Sequence, residues 1–468
     1  MKAKVSKTYL VFIAVLTAIA ATVALTSCQT GGESSSQRTT AAASAATKDE
    51  AAAATLPEGS GSAKLTESDI AVNETIENAE DGGHAIVADG ETLSYANVRV
   101  NKTGEADGDE ADFYGENAAV YAANGGTLTL KDMVVKTDGT HANAVFSYGE
   151  GTTVNIANAY IETSGNCSGG LMTTGGGTMN AENLTINTSG NSSAAIRSDR
   201  GGGTVNVTGG NYTTSGTGSP VIYSTADITV SDATMTSTAS QGVVVEGKNA
   251  VTLNNVNLTA DNNKKNSDKS SRYQAVMIYQ SMSGDAAEGA SRFAMNGGTL
   301  TNQNGDVFFI NNTATEITLN NAQITNNGNG VFLRAAAAGW GSEGSNGGQV
   351  TLNASNQIIN GDMIVDSVSH LNLYLSNNAS FTGAINSSGQ DGEVYVEIED
   401  GSIWTLTGDS YITGMTCGAN AINLNGHKLF IDGTSYTEGS ASFGDPIAVQ
   451  STGNGHGGGN PPAKPEND

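Results

Sequence analysis

A short block of residues recurs along the chain with its phase kept. GGTLTLKDMVVKTDG at 125–139 returns as GTTVNIANAYIETSG at 151–165, GGTMNAENLTINTSG at 176–190 and GGTVNVTGGNYTTSG at 202–216. One apolar position runs through Leu130, Ile156, Ala181, Val207, Val230, Leu253, Met295, Leu319 and Leu352, in steps of 26, 25, 26, 23, 23, 42, 24 and 33 residues. Within each block apolar side chains alternate, as in Val154/Ile156, Val205/Val207 and Ile228/Val230. Alternation places every second side chain on one buried face of a strand.

A further strand precedes each Gly turn: AAVYAA at 118, NAVFSY at 143, GGLMTT at 169, AAIRSD at 194, PVIYST at 220, GVVVEG at 242, AVMIYQ at 275, DVFFIN at 306 and GVFLRA at 330. Three short strands in about 25 residues make one turn of a right-handed parallel β-helix, whose coils pair only with their neighbours. The segment from 84 supplies an earlier coil. We therefore expect an all-β fold, a single solenoid of roughly a dozen three-strand coils and about 50–60 Å long at the spacing of paired strands. A propeller needs blades of about 40 residues, and no Leu/Asn ladder supports a leucine-rich repeat.

The ends read differently. Lys2, Lys4 and Lys7 precede an apolar run from Tyr9 to Leu25, then Thr26-Ser27-Cys28. A basic segment, a short apolar run and small residues describe an export signal over residues 1–27. The position of Cys28 resembles a bacterial lipobox, which implies lipidation there and a protein anchored to the cell envelope, at the outer membrane or cell surface, by lipid alone. Residues 28–64 read as the lipidated Cys and a flexible Ala/Ser/Thr/Gly tether with a root-mean-square reach of about 30–36 Å. Residues 65–452 form the β-helix, with a C-terminal cap from about 394, and 453–468 a Gly/Pro-rich disordered tail. The net charge of −26, with 47 acidic against 21 basic residues, excludes nucleic acid as a partner, because that affinity comes from Lys and Arg neutralising phosphates.

The repeat resembles the pectin-lyase-like superfamily of β-helices. GSIWTLTGDSYITGMTCGANAINLNGHKLFIDG at 401–433 resembles the last coils of pertactin-type autotransporter passenger adhesins, where a Trp-x-x-x-Gly-x-Ser pattern, here Trp404, Gly408 and Ser410, closes the core. No translocator barrel follows, and a lipid anchor would take its place.

Few residues point to catalysis. Inverting glycosidases need two carboxyls about 6.5–9.5 Å apart, yet no two Asp are adjacent, and the lone Gly-His-Gly, at 455–457, lies in the tail. A pectate-like lyase needs Ca²⁺-binding carboxylates and a base of lowered pKa. Arg197, Asp199 and Arg200 are the best such cluster, with Glu246 placed two coils on and one residue along. A solvated ion pair at a strand-to-turn corner is the plainer reading. Asp107, Asp109 and Asp112 in GEADGDEADFYGEN (104–117) form either a calcium loop or a solvated acidic loop. The five His are scattered and no Cys-x-x-Cys exists, so a zinc site is not expected. Cys167 and Cys417 lie about ten coils apart, too far for a disulfide, and are expected as buried single thiols.

The stronger signal is a row. The third position of each preceding strand is apolar and suits the core. The fourth then points outward: Tyr121, Phe146, Met172, Arg197, Tyr223, Val245, Ile278, Phe309 and Leu333. Flanked by Tyr148, such a row could stack on sugars or pack on a protein, unless the faces are reversed or the insertions at 259–274, 281–292 and 335–349 fold over it. Trp340, in one of them, is either a sugar platform or a plug. We expect a non-catalytic surface adhesin or glycan-binding β-helix that uses Tyr121, Phe146, Tyr148, Arg197, Tyr223 and Trp340. Its partner would be an extracellular polysaccharide or a surface glycoprotein of a host or neighbour. A polysaccharide lyase and a structural envelope spacer are the alternatives. No cofactor is expected apart from Ca²⁺ at the acidic loop.

Overall fold

The computed structural model describes residues 64–267, 269, 271–281 and 286–449. The export signal, Cys28, most of the tether and the C-terminal tail lie outside the described residues. Among those described, no helix is long and apolar enough to cross a membrane.

Strands of successive coils pair in parallel, and the chain winds as a right-handed parallel β-helix. One sheet of 20 strands carries the two strands that follow each Gly turn, and one of 11 carries the strand that precedes it. The matched apolar position is a true interior column. Leu130 pairs with Ile156, then come Ala181, Val207, Val230, Leu253, Met295 and Leu319, each buried. The last member differs from expectation: Leu319 pairs with Ala354, and Leu352 pairs with Ile317. Both face inward because a shift of two residues keeps the face.

The corners explain the polar composition. Where the chain leaves a strand it often takes a left-handed conformation, which Asn, Asp and Gly adopt at least cost. At another corner the coils touch backbone to backbone. A Cβ on Gly139 would lie 2.0 Å from the Gly104 carbonyl oxygen, and one on Gly165, Gly190 or Gly216 within 1.9 Å of the oxygen of the Gly one coil below. Close approach, not φ, requires Gly there.

At the C-terminal end Trp404 is fully buried, stacked on Phe381 with ring centroids 5.5 Å apart, and its Nε1 donates to the Gly383 carbonyl at 2.9 Å. Ser410 Oγ accepts from Ile385 N and donates to the Gly408 carbonyl. Trp404 thus fills the core one rung before its last strands, with Ile422 paired beyond it.

Candidate functional site: a covered row and its buried charges

The short-strand sheet turns alternate side chains to the coil interior and to the outside, and its outer row departs from expectation in two ways. First, its register moves. Tyr121, Phe146, Met172, Arg197 and Tyr223 line up as expected, but Tyr223 pairs with Val244 rather than Val245, followed by Met277, Phe309 and Arg334. Val245 and Ile278 point into the core, as does Leu333 beyond an irregularity between Val331 and Leu333. A one-residue slip reverses the face of each.

Second, the row is covered. Tyr121, Phe146 and Met172 form one buried cluster with Tyr148 against it, and Tyr223, Val244, Met277, Tyr279, Phe309 and Trp340 form another. The acidic segment 104–117 is exposed at Glu105 and Asp107 and buried from Ala111 to Gly115. It contains a short helix, α1 (Asp109–Tyr114), capped by left-handed Gly115 and laid over the row. A Cβ at Gly115 would meet the Tyr121 ring at 2.7 Å and Phe146 at 2.8 Å. Thr174 Oγ1 donates to the Phe113 carbonyl at 2.7 Å, and the Arg200 guanidinium sits 3.5 Å above the Phe113 ring. At the other end Trp340 packs edge-on against Tyr279, with centroids 5.1 Å apart, as a plug rather than a platform. Tyr121, Phe146, Arg197, Tyr223 and Trp340 are therefore not an open sugar-stacking surface, and Tyr148 is partly buried against the same cover. The insertions supply apolar area that the row needs to leave water.

Charges trapped under the cover are paired. Arg197 Nη2 lies 3.1 Å from Asp112 Oδ2 and 2.8 Å from Asp199 Oδ2. His141 Nδ1 is 3.1 Å from Asp112 Oδ1. Burial alone would raise the Asp112 carboxyl, but Arg197 and His141 outweigh it and hold it below its ordinary value. Burial likewise pulls Arg197 down, yet the two carboxylates leave it above its ordinary value. That is the wrong direction for a proton-abstracting base. Asp112 is thus spent on a salt bridge, Asp107 is exposed, and the side chain of Asp109 lies outside the described residues.

Glu246 is not beside Arg197. It sits two coils on and two residues along, where the hydroxyls of Tyr223 and Tyr279 both donate to its Oε2, the latter at 2.8 Å. Burial and the Glu246 charge push the Tyr223 hydroxyl well above its ordinary pKa. Further along, Arg334 Nε meets buried Asp306 at 2.6 Å. Of the residues named for a lyase, Arg197 and Asp199 meet at 2.8 Å and Arg200 N donates to Asp199 Oδ1, whereas Glu246 stands apart with Tyr223 and Tyr279.

One corner of the cluster was missed in the sequence. Among the described residues, the left-handed non-Gly positions hold Asn or Asp everywhere except at His141, Cys167 and Ser192. These three are consecutive rungs: His141 N donates to the Asn166 carbonyl, Cys167 N to that of Asn191 and Ser192 N to that of Thr217. A ring nitrogen of His141, an oxygen of Asp112 and Cys167 Sγ all lie within 4.8 Å of one another. Neither Cys167 nor Cys417 is in a disulfide, and Cys417 is buried where Cys167 is partly exposed. Aligning the corners by coil, rather than the strands, is the signal that reveals this group.

Among the described residues, the long sheet carries outward polar rows. Asn155, Asn180 and Asn206 form an outward row, with Asn180 Nδ2 donating to Asn155 at 2.9 Å and Asn206 Nδ2 to Asn180 at 3.0 Å. A shallow groove of about 560 Å³ runs over it, bordered by Lys131, Glu182 and Thr208. A second row, Thr213, Thr236, Thr259, Thr301 and Thr325, is in register over five coils.

No protein-family model matches this chain, and no curated protein matches it in sequence. Among solved structures, the chain is similar in fold to one from the cryo-EM structure of the Vag8–C1 inhibitor complex, with a TM-score of 0.50 and 15% identity over 75% of this chain and 80% of that chain.

Proposed function

We propose that this protein is an exported, lipid-anchored β-helical rod that acts as a surface adhesin without catalysing a reaction, and that it docks its partner on the open polar rows of the long sheet. The observation that carries this reading is the cover. With the aromatic row sealed by α1 and the loop bearing Trp340, the in-register Asn and Thr rows are extended outward surfaces that a ligand can reach among the described residues. Such rows present the same amides and hydroxyls on coil after coil, so weak hydrogen bonds sum by avidity on an arrayed partner. The structural neighbour was solved as a complex with C1 inhibitor, which supports a protein, or the glycan on a surface glycoprotein, as the partner class. An extracellular polysaccharide fits the same rows.

The test is binding of the purified chain to glycan arrays and to intact cells, compared with Asn155→Lys/Asn180→Lys/Asn206→Lys. Loss of binding in the triple variant with an unchanged circular dichroism spectrum is the expected result. Binding that survives both this and the equivalent change in the Thr row would move the site elsewhere. Release of unsaturated uronates from polygalacturonate with Ca²⁺ would replace the adhesin by a lyase.

A further inference from the structure

His141 and Cys167 occupy equivalent corners of neighbouring coils, with Ser192 one coil further on. Among the described residues every other left-handed position is Gly, Asn or Asp, the residues that meet such a turn at least cost. The turn alone therefore does not call for His beside Cys. Stacking brings their side chains to one place, and the inserted helix α1 lays Asp112 over them, so that a ring nitrogen, a carboxylate oxygen and a sulfur lie within 4.8 Å of one another. The five His are scattered along the sequence, yet the winding of the chain assembles one of them into a mixed nitrogen, oxygen and sulfur donor set, the kind that zinc accepts.

The spacing suits one ion. Two donors about 2.0–2.1 Å from a tetrahedral centre stand about 3.3–3.4 Å apart, and His141 Nδ1 lies 3.1 Å from Asp112 Oδ1. A hydrogen bond gives the same spacing but does not require a thiol beside it. Arg197 engages the other carboxylate oxygen, Oδ2, at 3.1 Å and is shared with Asp199 at 2.8 Å. It therefore cancels only part of the carboxylate charge, and it holds the Asp112 carboxylate from behind as an outer partner does for a metal ligand. The corner lies at the margin of the cover: Cys167 is partly exposed, and the His141 and Asp112 side chains are 11% and 9% exposed.

We propose that Asp112, His141 and Cys167 bind one Zn²⁺, with the fourth position left to water. Imidazole and thiolate favour zinc over calcium or magnesium, which take oxygen ligands. Bound there, the ion joins α1 to two coils and fastens the cover over the aromatic row.

The experiment is titration of the full, chelator-stripped chain with Zn²⁺ in excess Ca²⁺ and a phosphine reductant, the retained metal being counted by elemental analysis, with Co²⁺ as a spectroscopic probe. We expect one equivalent of zinc, and with cobalt a thiolate-to-metal absorption band. Cys28→Ser/Cys417→Ala should keep both. His141→Asn and Cys167→Asn, which install the residue usual at a left-handed corner, should each weaken zinc binding at least tenfold, and Cys167→Asn should abolish the band. In the unmutated chain zinc should slow iodoacetamide alkylation of Cys167 at least tenfold, and slow proteolysis within 104–117. No retained zinc, a band that survives Cys167→Asn, or equal alkylation of Cys167 with and without zinc would overturn the site; equal proteolysis would overturn the fastening. None of these outcomes bears on the Asn and Thr rows, so the adhesin reading stands or falls separately.

Discussion

Arg197 and Asp112 meet at 3.1 Å across a join between two parts of the chain: the coil strand that carries the guanidinium and the inserted helix that carries the carboxylate. The pair is mostly out of water, so it fixes where α1 lies more than it adds to stability. Removing one partner leaves the other charge uncompensated. Arg197→Ala strands Asp112 and Asp199 and should destabilise this region by about 3–5 kcal/mol. Hydrogen exchange of α1 and the coils beneath it should accelerate, while coils beyond 300 stay protected, as expected of a solenoid whose rungs contact only neighbours.

Acid should loosen the same join. The Asp112 carboxyl is held below its ordinary value in the folded chain, so its contribution is complete above about pH 4, the unfolded value, and is lost as pH falls further through the folded value. Limited proteolysis between pH 5 and 2 should cut within 104–117 before the rest of the rod yields. Uniform resistance over that range would contradict the assignment.

Alkali acts on the tyrosines. Burial raises the hydroxyls of Tyr121, Tyr212 and Tyr223 above their ordinary value. Their neutral forms stabilise the fold fully below about pH 10, and that contribution disappears as pH rises beyond it. Tyrosinate absorbance should therefore rise in two stages, exposed rings first and buried rings only with unfolding. A single stage near pH 10 with the fold intact would show that the cover is open.

The glycine corner should tolerate no side chain. A Cβ at Gly165 would approach the Gly139 carbonyl oxygen to 1.9 Å, a backbone contact that no rotamer can relieve. Gly165→Ala should lower the melting temperature and split the array at that rung. Gly125→Ala, with open space around the added carbon but a left-handed φ of 76°, should cost only about 1 kcal/mol.

Trp404→Ala should destabilise the last coils by about 3–5 kcal/mol, the usual loss for a large buried aromatic, because the ring fills the interior and its indole nitrogen satisfies Gly383. The effect should be confined to residues beyond about 360.

The repeat was legible because an interior column obeys a short-range rule. Ile156, Val207 and Leu253 alternate with polar neighbours, and a periodic alternation can be aligned by eye across 100 residues. Phase was harder in the short-strand sheet. In GVVVEG and AVMIYQ the residues at the centre of the strand are all apolar, so nothing local distinguishes Val244 from Val245 or Met277 from Ile278; pairing to neighbouring rungs decided it. The residues of the candidate site were partly named for the wrong reason. Arg197 and Asp112 stood out as charges, yet that they are partners depends on an insertion 85 residues earlier folding over the sheet.

The amino-acid order alone set the winding: two-residue alternation, Gly at the crowded corner and Asn at the turned one leave a stacked coil as the arrangement that buries one face and satisfies the backbone. Tertiary structure alone decided what the rod shows to the outside. Whether an outward row meets solvent or an insertion depends on contacts between segments far apart in the chain, and those contacts sealed Tyr121, Phe146 and Tyr223, left the Asn and Thr rows open, and brought His141, Cys167 and Asp112 to one corner.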